Sequence, residues 1–201
     1  MPFPYYDNLS AAKKRIYTKS ASIEHIPLKR PDDLHPLVME LKKSLEGNKR
    51  SDVARLASGI CRMICDELEV EALAVKISSR RPSNSNEELQ GLYEREEGER
   101  PVLTVWMRTA AKGQVVAFKS FIRTVIHELC HHIDYTYYKL DDSLHTEGFF
   151  KRESSLYREI VPPELQKKAP RKKKTAAGRK KVIRKKRLEP RQLEPKQMKL
   201  L

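Results

Sequence analysis

His127-Glu128-Leu129-Cys130-His131 governs the reading of this chain of 201 residues: two histidines stand four apart, with a glutamate directly after the first. On a helix, positions i and i+4 lie about 40° apart on one face, so both imidazoles can reach one cation. Glu128 then stands beside that cation without binding it. There its carboxylate can take a proton from an attacking water and later pass one to a leaving amine. A pattern of five residues also arises by chance, and helical phase provides an independent check. With His127 at zero and steps of about 100°, Phe118, Phe121, Ile122, Val125, Leu129 and Ile133 fall between about 120° and 240°. The two histidines fall near 0° and about 40°, on the opposite side. The helix therefore buries one face and turns its histidines toward a cleft, which histidines serving only as packing residues would not require. Asp134 falls near 340°, roughly on the ligand side, and can hold a histidine N–H from behind.

A catalytic zinc usually takes three protein ligands and leaves one position open. His145 lies beyond the Leu140-Asp141-Asp142-Ser143 loop, where the chain can double back, and is the first candidate for the third. Glu147 and Glu153 compete with it, because carboxylate third ligands are also common. His132 points near 140°, toward the side of the core, and reads as structural. His25 and His35 read as surface residues. Tyr135, Tyr157 and Arg158 are candidates to stabilise a developing oxyanion.

Outward from this helix, the pattern is mixed. Asp32 and Asp33 supply capping chemistry for a helix ending near Gly47-Asn48. Ser51-Asp52 caps another, whose Val53, Leu56, Ala57, Ile60, Cys61, Ile64 and Leu68 form one apolar face. Residues 73–77 read as a strand, 79–88 as a polar loop. The runs 89–94 and 102–107, around an acidic turn with Gly98, read as a β-hairpin. A helix over about 117–138 carries the motif, and another over about 146–160 follows it. The fold class is α+β: helices on a small sheet, with a cleft between the strand edge and the motif helix.

Charge divides the chain. Residues 162–201 hold sixteen of the 41 Lys and Arg but three of the 27 Asp and Glu, which leaves +1 of the net +14 for everything before them. The segment has few large apolar side chains and carries two near copies of one pentapeptide, LEPRQ and LEPKQ. It reads as a disordered basic tail. Residues 1–30, with Pro2, Pro4 and Pro27, read as a loosely held arm, and 31–161 as the domain. Lys172, Lys173, Lys174, Arg179, Lys180, Lys181, Arg184, Lys185, Lys186 and Arg187 suit phosphate neutralisation, hence DNA or RNA, without sequence readout. Gln197-Met198-Lys199-Leu200-Leu201 resembles the short peptides that dock on bacterial sliding clamps. No run of about 20 apolar residues is present for a membrane span, and no secretory signal opens the chain. Three cysteines (Cys61, Cys65, Cys130) suit buried thiols in a reducing compartment. The expected location is the cytoplasm, nucleoid-associated in a bacterium.

Over residues 35–160 the sequence resembles the SprT-like (Spartan-like) zinc metalloprotease family. Its pattern is H-E-x-x-H, a connector, then His-Gly-x-x-aromatic. Here that is His127 to His131, thirteen residues, then His145-Thr146-Glu147-Gly148-Phe149. The resemblance implies a zincin-like fold, Zn2+ on His127, His131 and His145, Glu128 as general base, and protein substrates bound or crosslinked to DNA. Thr146 stands where the family usually has Gly, and no CxxC pair follows the domain. ImmA/IrrE-like regulatory proteases share H-E-x-x-H but use a downstream Glu, a role Glu153 would fill. A non-enzymatic nucleic-acid-binding protein built around a structural zinc is the remaining reading.

Overall fold

The computed structural model describes residues 2–82 and 89–166. Two helices pack as a pair at the front of the core. Helix α2 (His35–Glu46) follows a 3-10 turn at Pro31–Leu34, and α3 spans Arg50–Glu67. Val53, Leu56, Ala57, Ile60, Cys61, Ile64 and Cys65 of α3 are buried, as their three-four spacing requires. Its N-cap is Lys49, with no side-chain capping bond. Ser51 and Asp52 thus fall inside the first turn, where Asp52 offers charge to the helix dipole instead of a cap.

The sheet has three strands in the order β1-β3-β2. Strands β2 (Gly91–Glu94) and β3 (Val102–Arg108) pair antiparallel, with Gly91 opposite Val105 and Glu94 opposite Val102. Strand β1 (Ala74–Arg80) pairs parallel with β3, Ile77 opposite Val105. The central strand buries Leu103, Thr104, Val105 and Met107, and β2 is an edge. Helix α4 (Phe118–Thr136) packs across β2 and β3, and α5 (Glu147–Ile160) packs against α4. Phe121, Ile122, Val125, Leu129 and Ile133 of α4 are each at most 1% exposed, on the face that helical phase assigns to the core. Cys61, Cys65 and Cys130 are free and buried.

Both ends of the domain depart from expectation. Residues 2–30 are not a loose arm. A 3-10 turn at Pro4–Asn8 leads into α1 (Ala11–Ser22), capped by the Ser10 side chain accepting from Lys13 N. Tyr17 and Ser20 of α1 are buried, and Ile26 beyond it joins the main core. The C-terminal carbonyls of α1 lie against Gly148 at the start of α5. A Cβ there would stand 2.7 and 2.8 Å from the carbonyls of Ile23 and Ala21 and closer still to that of Ser20, so only glycine permits the approach. At the other end, Pro162 does not close the packed part. The one-turn helix α6 (Pro163–Gln166) follows, Leu165 rests on the core, and the Gln166 amide donates to the Arg158 and Val161 carbonyls. All these elements belong to one compact unit. Among the described residues no helix is long and apolar enough to cross a membrane.

Candidate metal centre

Helix α4 presents His127 and His131 from adjacent turns, and the loop after it returns His145 to the same point. The His145 Nε2 lies 3.0 Å from that of His127 and 3.2 Å from that of His131. Among the described residues these three histidines form the one group able to hold a metal ion, with ligand atoms all within 4.8 Å of one another. A tetrahedral zinc with Zn–N bonds of about 2.0–2.1 Å separates its nitrogens by about 3.3–3.4 Å. The observed spacing lies within a few tenths of an ångström of that.

The far side of each α4 imidazole explains why lone pairs point inward. His127 Nδ1 is 3.1 Å from Glu153 Oε2, and a carboxylate oxygen only accepts, so Nδ1 carries a proton and the neutral ring leaves Nε2 bare. His131 Nδ1 is 2.7 Å from Ser143 Oγ, whose hydroxyl in turn donates to Asp134 Oδ2 at 2.8 Å. Ser143 therefore accepts from His131, whose Nε2 is bare as well. Burial, and after it the neighbouring His127 and His145, hold His131 far below the usual imidazole range, at about 3. Burial also lowers His145. A divalent cation requires imidazole nitrogens that converge with free lone pairs, and the three Nε2 atoms converge here, so the residues fit the group.

Glu153 and Glu147 serve elsewhere. Glu153 backs His127 and pairs with Arg123 Nη1 at 3.0 Å. Glu147 accepts from the Tyr17 hydroxyl at 2.7 Å, which holds its carboxyl below the ordinary value. Asp134 does stand behind a ligand, but through Ser143 and not directly, because its carboxylate is turned to Arg152. His132 is fully buried between the Tyr93 hydroxyl and the Glu71 carbonyl, a structural position. His25 is exposed, whereas His35 is half-buried, its ring against the Glu159 carbonyl.

Phe149 makes the floor of the centre. Its ring centroid lies 5.0, 4.7 and 5.0 Å from those of His127, His131 and His145, and it has no exposure. Tyr5 of the N-terminal turn donates to the His145 carbonyl at 2.6 Å, and Phe150 stacks on the His145 ring. Neither Tyr5 nor Ser143 carries a sequence signal. Phe149 does, as the aromatic four residues after His145.

Beside the triad opens a cavity of about 480 Å³ lined by Gln90, Gly91, Ser120, Arg123, Thr124, His127, Glu128 and Glu153. Glu128 is 8% exposed, and burial raises its carboxyl above the ordinary value, with His127 pulling the other way. A raised carboxyl holds a proton more readily than an ordinary one, as a proton shuttle needs. Of the oxyanion candidates, Tyr157 is buried beneath Arg123, with no hydrogen-bond partner for its hydroxyl among the described residues. Tyr135 stacks on Tyr93, with its hydroxyl accepting from Ser143 N. Arg158 is exposed and lines a separate surface hollow with Phe150 and Lys151. The proposed phosphate-binding residues at 172–174, 179–181 and 184–187, and the peptide 197–201, lie outside the described residues. No protein-family model matches the chain, and no curated protein or solved structure matches it either.

Proposed function

We propose that this chain is a zinc-dependent peptidase of zincin-like fold, its metal held by His127, His131 and His145, with Glu128 moving the proton. The observation that carries the reading is the convergence of three imidazole nitrogens, 3.0 and 3.2 Å apart about His145, beside a carboxylate in a cavity of substrate size. A zinc ion bound there would supply Lewis acidity toward a peptide carbonyl and toward water. Glu128 takes the proton of the water that adds to the carbonyl carbon. It then delivers a proton to the amide nitrogen as the C–N bond breaks. An extended substrate pairs along β2, the edge strand that runs past Glu128 at Gly91.

Glu153 contacts Nδ1 of His127, on the outside of the ring. That favours the SprT-like resemblance over an ImmA/IrrE-like ligand set. The charge of residues 162–201 would hold the peptidase on nucleic acid and raise the local concentration of proteins bound there. DNA-bound or crosslinked proteins are accordingly the proposed substrates.

The test uses the full chain. It should contain one zinc per molecule and cleave casein, itself or a DNA-bound protein in a reaction that chelators block. Glu128→Gln should abolish turnover with zinc retained. A folded chain without stoichiometric metal ends the proposal, and cleavage by the Glu128→Gln variant ends the role of Glu128. Salt-sensitive DNA binding with no proteolysis under any of these conditions would favour the binding-module reading.

A further inference from the structure

We propose that Ser143, Asp134 and Arg152 form a relay that fixes the tautomer of His131, so that the metal affinity of the centre depends on a serine hydroxyl set between histidine and carboxylate. The inference rests on the metal-centre reading above. Histidine ligands commonly donate their second N–H directly to a carboxylate or carbonyl. Here the nearest carboxylate on the same helix, Asp134, is occupied. Arg152 Nη2 holds both its oxygens, at 2.8 and 3.0 Å, and both side chains have no exposure.

Arg152 is itself held on its other side. Its Nη1 donates to the carbonyls of Ser20 and Ile23 at 2.8 and 2.7 Å, and its Nη2 reaches Ser20 Oγ at 3.1 Å. The guanidinium is thereby anchored to the end of α1. The carboxylate it holds still has one oxygen directed at Ser143, 2.8 Å away, and the hydroxyl covers the remaining 2.7 Å to His131 Nδ1.

Direction follows from donor inventory. Arg152 only donates, so Asp134 only accepts. The Ser143 hydroxyl has one proton and gives it to Asp134, leaving its lone pair for His131. The His131 proton is thus fixed on Nδ1. A water in place of the hydroxyl could turn and donate to Nδ1, which would move the proton to Nε2 and block the ligand position. Ser143 cannot turn, because Asp134 holds its proton and its backbone N–H is held by Tyr135 at 3.3 Å. These are positioning residues. They touch neither metal nor substrate.

The experiment reads the tautomer and the metal separately, in the full chain. In metal-free wild type, long-range 15N correlation of the histidine rings should show His131 protonated at Nδ1. Ser143→Ala should give mixed tautomers and weaken zinc binding by about 10- to 100-fold in chelator competition. Ser143→Thr, which keeps the hydroxyl, should retain both properties. A wild-type His131 protonated at Nε2 overturns the relay whatever happens to the variants. So does Ser143→Ala with wild-type tautomer and affinity. If wild type binds no zinc, the peptidase proposal fails, while the metal-free tautomer still decides the relay.

Discussion

Gly91 lies against the Glu128 carboxylate so closely that a methyl group at position 91 would overlap Oε1 and stand 2.6 Å from the Thr124 methyl. The sheet edge and the side chain proposed to carry the proton thus share one space. A single added carbon separates their roles. Gly91→Ala should displace Glu128 by about an ångström and cut kcat/KM on the order of 100-fold. Zinc content should not change, because no ligand touches position 91. Peptide hydrolysis measured alongside metal analysis checks this, and unchanged turnover would contradict it.

Phe149 carries the three imidazoles on one ring. Phe149→Ala should cost about 3–5 kcal/mol in urea denaturation, as for other buried aromatic truncations. It should also broaden the cobalt spectrum of the substituted centre. Phe149→Leu should keep most of the stability, since the volume is nearly filled. Equal losses in the two variants would mean that the ring does not support the histidines through packing.

The Arg152–Asp134 pair has no solvent on either side. Arg152→Met alone should destabilise by about 3–5 kcal/mol, because it strands a buried carboxylate. Adding Asp134→Leu should recover the share of that loss due to the stranded carboxylate, and not the share due to the Ser20 and Ile23 carbonyls that Arg152 also serves. The double variant should still bind metal poorly, having lost the acceptor of the Ser143 hydroxyl. Thermal melts of the metal-free forms measure the first effect and chelator competition the second.

His131 titrates near 3 in the fold against an ordinary 6.5, and burial lowers His145 in the same direction. Depressed groups favour the folded state above the unfolded value. As pH falls below about 6.5 the unfolded chain takes up protons that the fold refuses, and stability drops toward pH 3. Glu128 and Asp134 are both raised by burial and act with the opposite sign. They gain protons in the fold first, which softens the loss at its acidic end. Metal-free protein should therefore melt progressively lower from pH 7 to 5, and zinc should raise Tm most at the upper end. A flat profile over that window would contradict the depressed imidazoles of His131 and His145.

Removing residues 168–201 should leave hydrolysis of small peptides intact. It should abolish DNA binding and the steep weakening of that binding with salt. Gel-shift titrations at two salt concentrations decide this, and equal retention by the shortened chain would place the nucleic-acid surface on the domain.

The α4 face was legible because two periodicities agree in one helix: apolar residues on one side and candidate ligands on the other. The β2–β3 hairpin was legible from its two apolar runs and the acidic turn. The parallel pairing of β1 with β3 was not, since nothing local in 74–80 names a partner so far along the chain. Helix α1 escaped notice because its inward side is Tyr17 and Ser20, polar residues that no apolar stripe reveals. The Ser10 cap was its available signal, three residues before Lys13. Ser143 reads only as a loop residue and Arg152 carries no local signal, and their meaning comes from a network assembled from α1, α4, α5 and the loop between.

The close seat of α1 on Gly148 carries a practical consequence. The opening of the polypeptide is a structural partner of the third imidazole, so an affinity label, a fusion or a proteolytic nick placed ahead of His35 would be felt at the histidine cluster as misalignment.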